Sequence, residues 1–511
     1  MLPHLEKREN GTALIVNDKP FIGLAGEIHN SSASDPGYME EKVWPQVMAL
    51  NINTLVAPVY WEMIEPEKTK FDFATVDYLI TAAREHQVKL VLLWFGLWKN
   101  AGSTYVPEWL KTDPATIYSQ DQTGRHLLAI SPADHRAIGL DATAFSHLMA
   151  HIKQRDETEN TVIMVQVENE TGLLNADFDH AIDEDQALGQ PVAASLAEDT
   201  QQSWRAYFGE AAKEQYMAYL FASAVETVAA AGKREYPLPL YVNAWQQKPL
   251  DVPGASFPGT YPTGGPTVKM VKTWQKVAPS IDLIAPDIYV PNFTEVTDAY
   301  FSQQNALLVP ETARALPAVS NLIYAIGHYD LLLFSPFGAE DFFTTPAKAD
   351  PQMLKALAID PRAFDQGGQA GPALATAYRL LKGLIPLLAG NQDSSRLHAF
   401  IATKPADEGV RVRLGNCNVV VHFAALTGEQ APSAGFILEL AANEFLVFGI
   451  NIRIVLEPSS ATARPVGLLK LEEGEMVAGH WQSGRILNGD EQTVIQLGQL
   501  PGLLKFKTFT Y

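Results

Sequence analysis

Apolar and polar positions alternate along the chain in two rhythms that change places near residue 391. Before it, short runs of β-branched, leucine and aromatic residues are followed by longer segments whose apolar residues recur at three and four. Such runs predict strands buried on both faces, and the longer segments predict amphipathic helices. The strands read as "FIGLAGEI" (21 to 28), "INTLVAPVY" (52 to 60), "VKLVLLWF" (88 to 95), "TVIMVQV" (161 to 167), "LPLYVNAW" (238 to 245), "IDLIAPDIY" (281 to 289), "NALLVPE" (305 to 311) and "LLLFSPF" (331 to 337). The helices between them include "YMEEKVWPQVMALN", "FATVDYLITAAREHQ", "AFSHLMAHIKQR", "KEQYMAYLFASAVETVAAAGK", "TVKMVKTWQKVA" and "AVSNLIYAIGH".

Eight strands separated by helices close most naturally into a (β/α)8 TIM barrel, with chemistry at the carboxyl ends of the strands. The catalytic barrel is placed at residues 1–391, with a short N-terminal lead-in. After "LLKGLIPLLAGNQD", the runs "VRVRL", "VVVHFAAL", "GFILELA", "EFLVFGINIRIVLE" and "LLKFKTF" are parted by Gly, Asn, Asp and Pro. They predict an all-β, sandwich-like domain over 392–511. Two connections are long, 96 to 142 after strand three and 171 to 200 after strand four, and loops of that length on the catalytic face commonly form substrate walls.

Charge narrows the partners. With 38 Lys+Arg against 58 Asp+Glu, a net charge of −20 offers no basic footprint for phosphates, so neither nucleic acid nor an anionic membrane is expected. A neutral polar substrate fits better. No window reaches the roughly 18 apolar residues of a membrane span, and the N-terminus shows no secretory signal, so a cytoplasmic location is the expectation. Cys417 sits in the apolar run "NCNVVVHF" and reads as a small core residue.

The stretch "VIMVQVENETG" sets the chemistry. A strand built for a dry core ends in two glutamates, Glu168 and Glu170, and "ALLVPETARA" ends strand seven in Glu311 in the same manner. Closure of the barrel brings these ends together over its mouth. Paired carboxyls suit glycoside hydrolysis, in which one group donates a proton to the leaving oxygen while the other attacks or activates water. An apolar wall and a charged neighbour raise the pKa of one, and hydrogen-bond donors keep the other ionised. Glu168 fits either a substrate contact or a support for Glu170 and a neighbouring basic group.

Aromatic residues near strand ends, Tyr60, Trp61, Trp94, Trp98 and Trp245, are candidates to stack on a pyranose face. His147 and His151 share a helix face at a spacing that metal sites use, but the glutamate of "HExxH" is missing, and the segment reads as packing. No metal is expected. With no nucleotide fingerprint, phosphate-binding loop, serine elbow or paired "CxxC", no cofactor is expected either. The run "DEDQ" (183 to 186) reads as a solvated loop face.

At these residues the sequence resembles glycoside hydrolase family 35, the β-galactosidases of clan A. "QVENETG" is similar to its strand-four signature, "GLAGEIHN", with Glu27, to its first-strand motif, and "VYWEMIEPEKTKFDF" to its second-strand pattern. The resemblance implies a retaining β-galactosidase with Glu170 as acid/base, Glu311 as nucleophile, Asn169 on the sugar 2-hydroxyl and Tyr289 steadying the nucleophile. It also implies that Glu27 and Tyr60 line the substrate site. Where family members carry Ala-Glu-Trp after strand three, this chain has "GLWKNAG", so Trp98 or Asn100 is expected to remake those contacts. The expected partner is a β-galactoside at the end of a plant-derived glycan. Another β-linked sugar, such as a glucoside, mannoside or arabinopyranoside, and a carbohydrate-binding protein without turnover both stay open. A homodimer is the expectation for assembly.

Overall fold

The computed structural model describes residues 1–8, 11–197, 201–246, 256–301, 305–344, 368–389, 395–415, 417–426, 430–460 and 462–511. Eight parallel strands close on themselves in sequence order: β1 (Gly23–Glu27), β2 (Thr54–Tyr60), β3 (Lys89–Lys99), β4 (Val162–Asn169), β5 (Leu240–Trp245), β6 (Leu283–Ile288), β7 (Leu307–Thr312) and β8 (Leu331–Pro336). All but the end residues of these strands are buried, as expected where helices cover the outside and side chains fill the inside. The helices that follow these strands include Trp44–Ala49, Ala74–Glu85, His135–Asp156, Ala212–Glu235, Val271–Val277, Phe293–Phe301, Leu316–His328 and Ala370–Leu388.

β3 runs four residues beyond its apolar core, and a register irregularity between Trp94 and Lys99 lets that extension reach the end of β4. The connection after it holds a helical turn, Glu108–Lys111, and a small hairpin, Tyr118–Gln120 with His126–Ile130. Its hub is buried Asp179, whose carboxylate accepts from Ser119 Oγ at 2.9 Å, Ser131 Oγ at 2.6 Å and the Gln120 amide at 3.0 Å. One long loop is thus tied to the other. The acidic run at 183 to 186 is not a bare loop face: Asp183 caps the helix Glu184–Gly189 through the Gln186 N–H.

The N-terminal lead-in is a three-stranded antiparallel sheet, His4–Arg8, Gly11–Val16 and Lys19–Phe21. Asn17 and Asp18 make its tight turn with φ of 52° and 61°, the left-handed pair that a two-residue hairpin requires. Contacts from Asn160 Nδ2 to Asn17 and from the Thr12 N–H to Asp330 fasten this sheet beside the residues that precede β4 and β8.

The C-terminal residues form two antiparallel sheets. One has the order Leu397–Ile401, Ala434–Ala441, Glu444–Ile450, Gly502–Thr510, Val466–Val477 and His480–Ile486, and the other Gly409–Leu414, Cys417–Phe423, Ile452–Pro458 and Ile495–Leu497. Cys417 is buried between them, as its setting predicts. The run "EFLVFGINIRIVLE" is two strands rather than one, because Asn451 takes φ 54° and passes the chain from one sheet to the other. Alternation along Glu444–Ile450 shows how the six-stranded sheet is used. Phe445 and Val447 face the second sheet, whereas Leu446, Phe448 and Ile450 join the core of the barrel. They pack toward Leu316–His328, the helix that follows β7. The predicted boundary at 391 and 392 lies outside the described residues.

Candidate active site

The two glutamates that close β4 are held in different ways. Glu168 is fully buried and turns away from the mouth: it accepts the N–H of Trp98 at 2.7 Å and of Leu97 at 3.2 Å, and the same Leu97 N–H lies 3.2 Å from Asp141 Oδ2. Burial first, then the Asp141 charge, pushes its pKa well up. Gly96 makes room for this approach, since a Cβ there would lie 2.6 Å from Glu168 Oε1. Glu168 therefore supports the extension of β3, with an acid for a partner rather than a base.

Glu170 is held the other way. Both glutamates have left-handed backbones, with φ of 62° at Glu168 and 46° at Glu170, a conformation a non-glycine residue keeps only when its surroundings enforce it. For Glu170 the enforcing contacts are its N–H donating to Asn243 Oδ1 at 2.8 Å and its carbonyl accepting from Ala101 at 3.1 Å. Asn243 comes from β5, and its Nδ2 donates at 2.6 Å to Asp287 on β6. Asp287 in turn stands beside Glu311 of β7 in the strand register.

Four buried carboxyls thus meet at the mouth: Glu27, Glu170, Asp287 and Glu311. Burial, followed by the Glu311 charge, lifts Glu170 to about 8, while Lys99 and a hydrogen bond from Asp287 pull the other way. Glu27 and Asp287 are raised well above the usual carboxylate range by burial and then by Glu311. The Tyr289 hydroxyl donates to Glu311 Oε1 at 2.5 Å. Lys99, buried at the end of β3, donates to Asn169 Oδ1 at 2.9 Å with its ammonium 5.1 Å above the Phe95 ring. Among the described residues, buried atoms of this cluster without a hydrogen-bond partner include Glu27 Oε1, Asn169 Nδ2, Asp287 Oδ1 and Glu311 Oε2.

Glu27, Asn169, Glu170, Tyr289 and Glu311 are therefore brought to one place. Trp245 ends β5 half-buried, next to Asp287 in the register. Asn100 lies at the rim with φ 50°, its N–H donating to the Asn169 carbonyl at 3.2 Å. Other aromatic expectations need correction. Trp98 is fully buried, its Nε1 donating to the Ile130 carbonyl and its ring packed edge-on to Phe221, because Glu168 grips its backbone and turns the indole into the core. Tyr60 is stacked on Tyr105 and meets Phe95 edge-on, so its ring belongs to the wall of β2 rather than to an open platform. Trp61 and Trp94 are core residues bonded to Glu65 and Asp141. His147 and His151 stack on Phe71 and Phe73.

Lys99, Asn243 and Asp287 were not singled out by sequence reasoning. "APDIY" offered a signal for Asp287, an acid where a buried strand expects an apolar residue, but a lysine after a tryptophan and an asparagine inside "LYVNAW" read as ordinary strand ends.

Residues 40–188 match the family model of glycoside hydrolase family 42, described as Beta-galactosidase, and residues 374–497 match a Domain of unknown function (DUF5597). The family model that matches over the first span is that of family 42, and not that of family 35, which the strand-end motifs suggest. No curated protein matches the chain. Among solved structures, the cold-adapted β-galactosidase of a Rahnella species is 13% identical with a TM-score of 0.48, covering 73% of this chain and 58% of its own. An exo-β-1,4-mannosidase of an Opitutaceae bacterium is 12% identical at TM-score 0.43, covering 72% and 61%. The intracellular xylanase of Thermoanaerobacterium saccharolyticum is 15% identical at TM-score 0.36, covering 65% and 90%. This chain spans less than two thirds of the galactosidase and mannosidase chains. Among the described residues, no helix is long and apolar enough to cross a membrane.

Proposed function

We propose that the protein is a retaining β-glycosidase of clan A that releases terminal β-linked galactose from oligosaccharides or plant-derived glycans. The observation that carries this is the pair of buried strand-end carboxyls, Glu170 and Glu311, close enough for the charge of one to raise the pKa of the other. Glu170, lifted to about 8, holds its proton at neutral pH and serves as the acid. The Glu311 carboxylate, aligned by Tyr289, attacks the anomeric carbon as Glu170 protonates the departing oxygen. Glu170 then takes a proton from water, which attacks the same carbon and releases the sugar with its configuration retained. Asn169, anchored by Lys99, keeps its Nδ2 free to donate to the sugar 2-hydroxyl, and Glu27 offers an unpaired oxygen to another hydroxyl. Trp245 is the remaining candidate for stacking on the ring face, with Asn100 at the rim.

The test is hydrolysis of a panel of aryl glycosides by wild type, Glu311→Gln and Glu170→Ala. The galactoside is expected to turn over fastest, with near-complete loss in Glu311→Gln. Glu170→Ala should retain its first step on a good leaving group and stall at the water step. Normal turnover by Glu311→Gln would overturn the nucleophile assignment, and faster cleavage of a mannoside or glucoside would overturn the sugar.

A further inference from the structure

The proposed reaction uses the β4 and β7 sides of the mouth, and one further buried carboxyl stands on the β8 side. Glu340 lies on the short turn Ala339–Asp341 that follows β8 and is 4% exposed. Its Oε1 accepts the His29 N–H at 3.0 Å and the Ser32 hydroxyl at 2.7 Å, both from the segment after β1. Its Oε2 is buried and has no hydrogen-bond partner among the described residues. A bare acceptor in such a place costs free energy until a donor reaches it.

The next residue fixes this pose. Asp341 Oδ2 lies 2.8 Å from His29 Nε2 and accepts from Arg314 Nη1 at 2.7 Å, and Arg314, in the loop after Glu311, also donates to the Gly338 carbonyl at 2.9 Å. Gly338 has φ of 68°, and a Cβ there would stand 3.0 Å from both Arg314 Nη1 and the His29 ring. The turn is thereby pinned to the ends of β7 and β1. Phe337, just before it, bridges to Glu27 on β1, so Glu340 stands just beyond the level of Glu27, whose Oε1 is bare as well. The Glu340 charge acts on both Glu27 and Tyr60.

The order of the strands indicates which part of a sugar meets this carboxyl. With the anomeric carbon between Glu170 and Glu311 and the 2-hydroxyl at Asn169, a pyranose runs round the mouth in the sequence β4, β3, β2, β1, β8, β7. Carbons 3 and 4 then face β3 to β1. Carbon 5, one ring oxygen from the anomeric carbon, comes back beside β8.

Resting on the glycosidase reading, we propose that Glu340 is a specificity-determining residue whose bare Oε2 accepts the 6-hydroxyl of a terminal hexose. A pentopyranoside, lacking carbon 6, leaves that oxygen bare. A uronide sets a second carboxylate against Glu340 and Glu27, where His29 and Arg314 are already bonded to Asp341. The site therefore selects a galactoside over both.

The test compares three p-nitrophenyl substrates that differ only at carbon 5: the β-D-galactopyranoside, the α-L-arabinopyranoside, which is the same ring without carbon 6, and the β-D-galacturonide. Wild type is expected to favour the galactoside over the arabinopyranoside by about a hundredfold in kcat/KM, and over the uronide by about a thousandfold. Glu340→Ala should lower both neutral substrates but the galactoside more, cutting its lead about tenfold. Glu340→Gln keeps an acceptor for His29 and Ser32 and turns Oε2 into an amide donor, so uronide cleavage should rise about tenfold relative to the galactoside. A residue that only supports the fold would lower all three alike, and unchanged ratios in the two variants would overturn the proposal. Should melting curves show that Glu340→Ala does not fold, Ser32→Ala loosens the carboxyl without removing it. The galactoside's lead should then fall about threefold, and an unchanged lead refutes the contact.

Binding of the methyl 1-thio analogues, followed by calorimetry, needs no turnover. If wild type cleaves nothing yet binds the thiogalactoside more tightly than the thioarabinopyranoside, with the gap narrowed in Glu340→Gln, the glycosidase reading fails and the hexose contact stands. If wild type cleaves galactoside and arabinopyranoside equally well, the contact fails and the glycosidase reading stands.

Discussion

Replacing Glu170 by glutamine should abolish normal turnover and at the same time stabilise the fold, in a manner that depends on pH. In the folded protein burial and Glu311 raise the pKa of Glu170 from 4.5 to about 8. Unfolded, it ionises in water near its ordinary value. Between those two values the folded chain holds a proton that the unfolded chain has released, so stability falls as pH rises through this window. Below it, both states are protonated and the difference vanishes. At about 1.4 kcal/mol per pH unit, the ceiling on this penalty above the window is about 5 kcal/mol. Glu27 and Asp287 relax when a neighbouring charge is withdrawn, so a gain of about 1 to 3 kcal/mol is expected. Glutamine fills the same space with a neutral group and removes the proton linkage. Urea titrations near pH 4 and near pH 8.5 read the effect directly: the two midpoints should coincide at the lower pH and separate at the higher, with the variant ahead. An equal advantage at both, or a variant weaker at high pH, would refute the assignment of a proton held by burial.

Lys99→Met takes away the cation that lowers Glu170 and Glu27, so the alkaline limb of kcat/KM should move to higher pH, and KM should rise because Asn169 loses its anchor; an unmoved limb would separate Lys99 from the site. Trp98→Ala should behave as a core deletion, with a loss of about 3 to 5 kcal/mol in denaturant titration, whereas a rise in KM at unchanged stability would restore it as a sugar contact. Phe448→Ala, on the face of the sheet that joins the barrel core, should cost about 3 to 5 kcal/mol with barrel and β domain melting together in calorimetry; two separate transitions would show that the domains fold independently.

The eight barrel strands were legible because each is a β-branched or aromatic run bounded by turn residues, and burial on both faces leaves no other use for such a run. Glu170 and Glu311 were legible for the converse reason, as charges placed where a dry strand stops. The residues that tune them were not. Lys99 reaches the mouth only because β3 continues past Phe95 through an irregular register, and no periodicity announces that extension. Asn243 matters through its amide's contact with a backbone N–H from β4, a relation between strands distant in sequence. Trp98 misled because a tryptophan near a strand end suits a sugar platform and a core equally, and the choice was made by Glu168 binding its backbone. In the second domain, the strand Val466–Val477 escaped notice because its Lys470, Glu472, Glu473 and Glu475 break the apolar alternation, and the outer position of its pairing partner His480–Ile486 tolerates them.

The strand Glu444–Ile450, buried on both faces, carries a further meaning for the acid on β7. Glu311 and the helix Leu316–His328 are consecutive in the chain, and that helix leans on Phe436 and Phe448 from the far module. The aim of the proposed nucleophile is therefore steadied from outside the barrel, much as a lever is steadied by its fulcrum. Trimming the chain to a minimal catalytic fragment would remove that fulcrum, and damage to the distal sandwich would first be felt as slower chemistry rather than as a missing accessory.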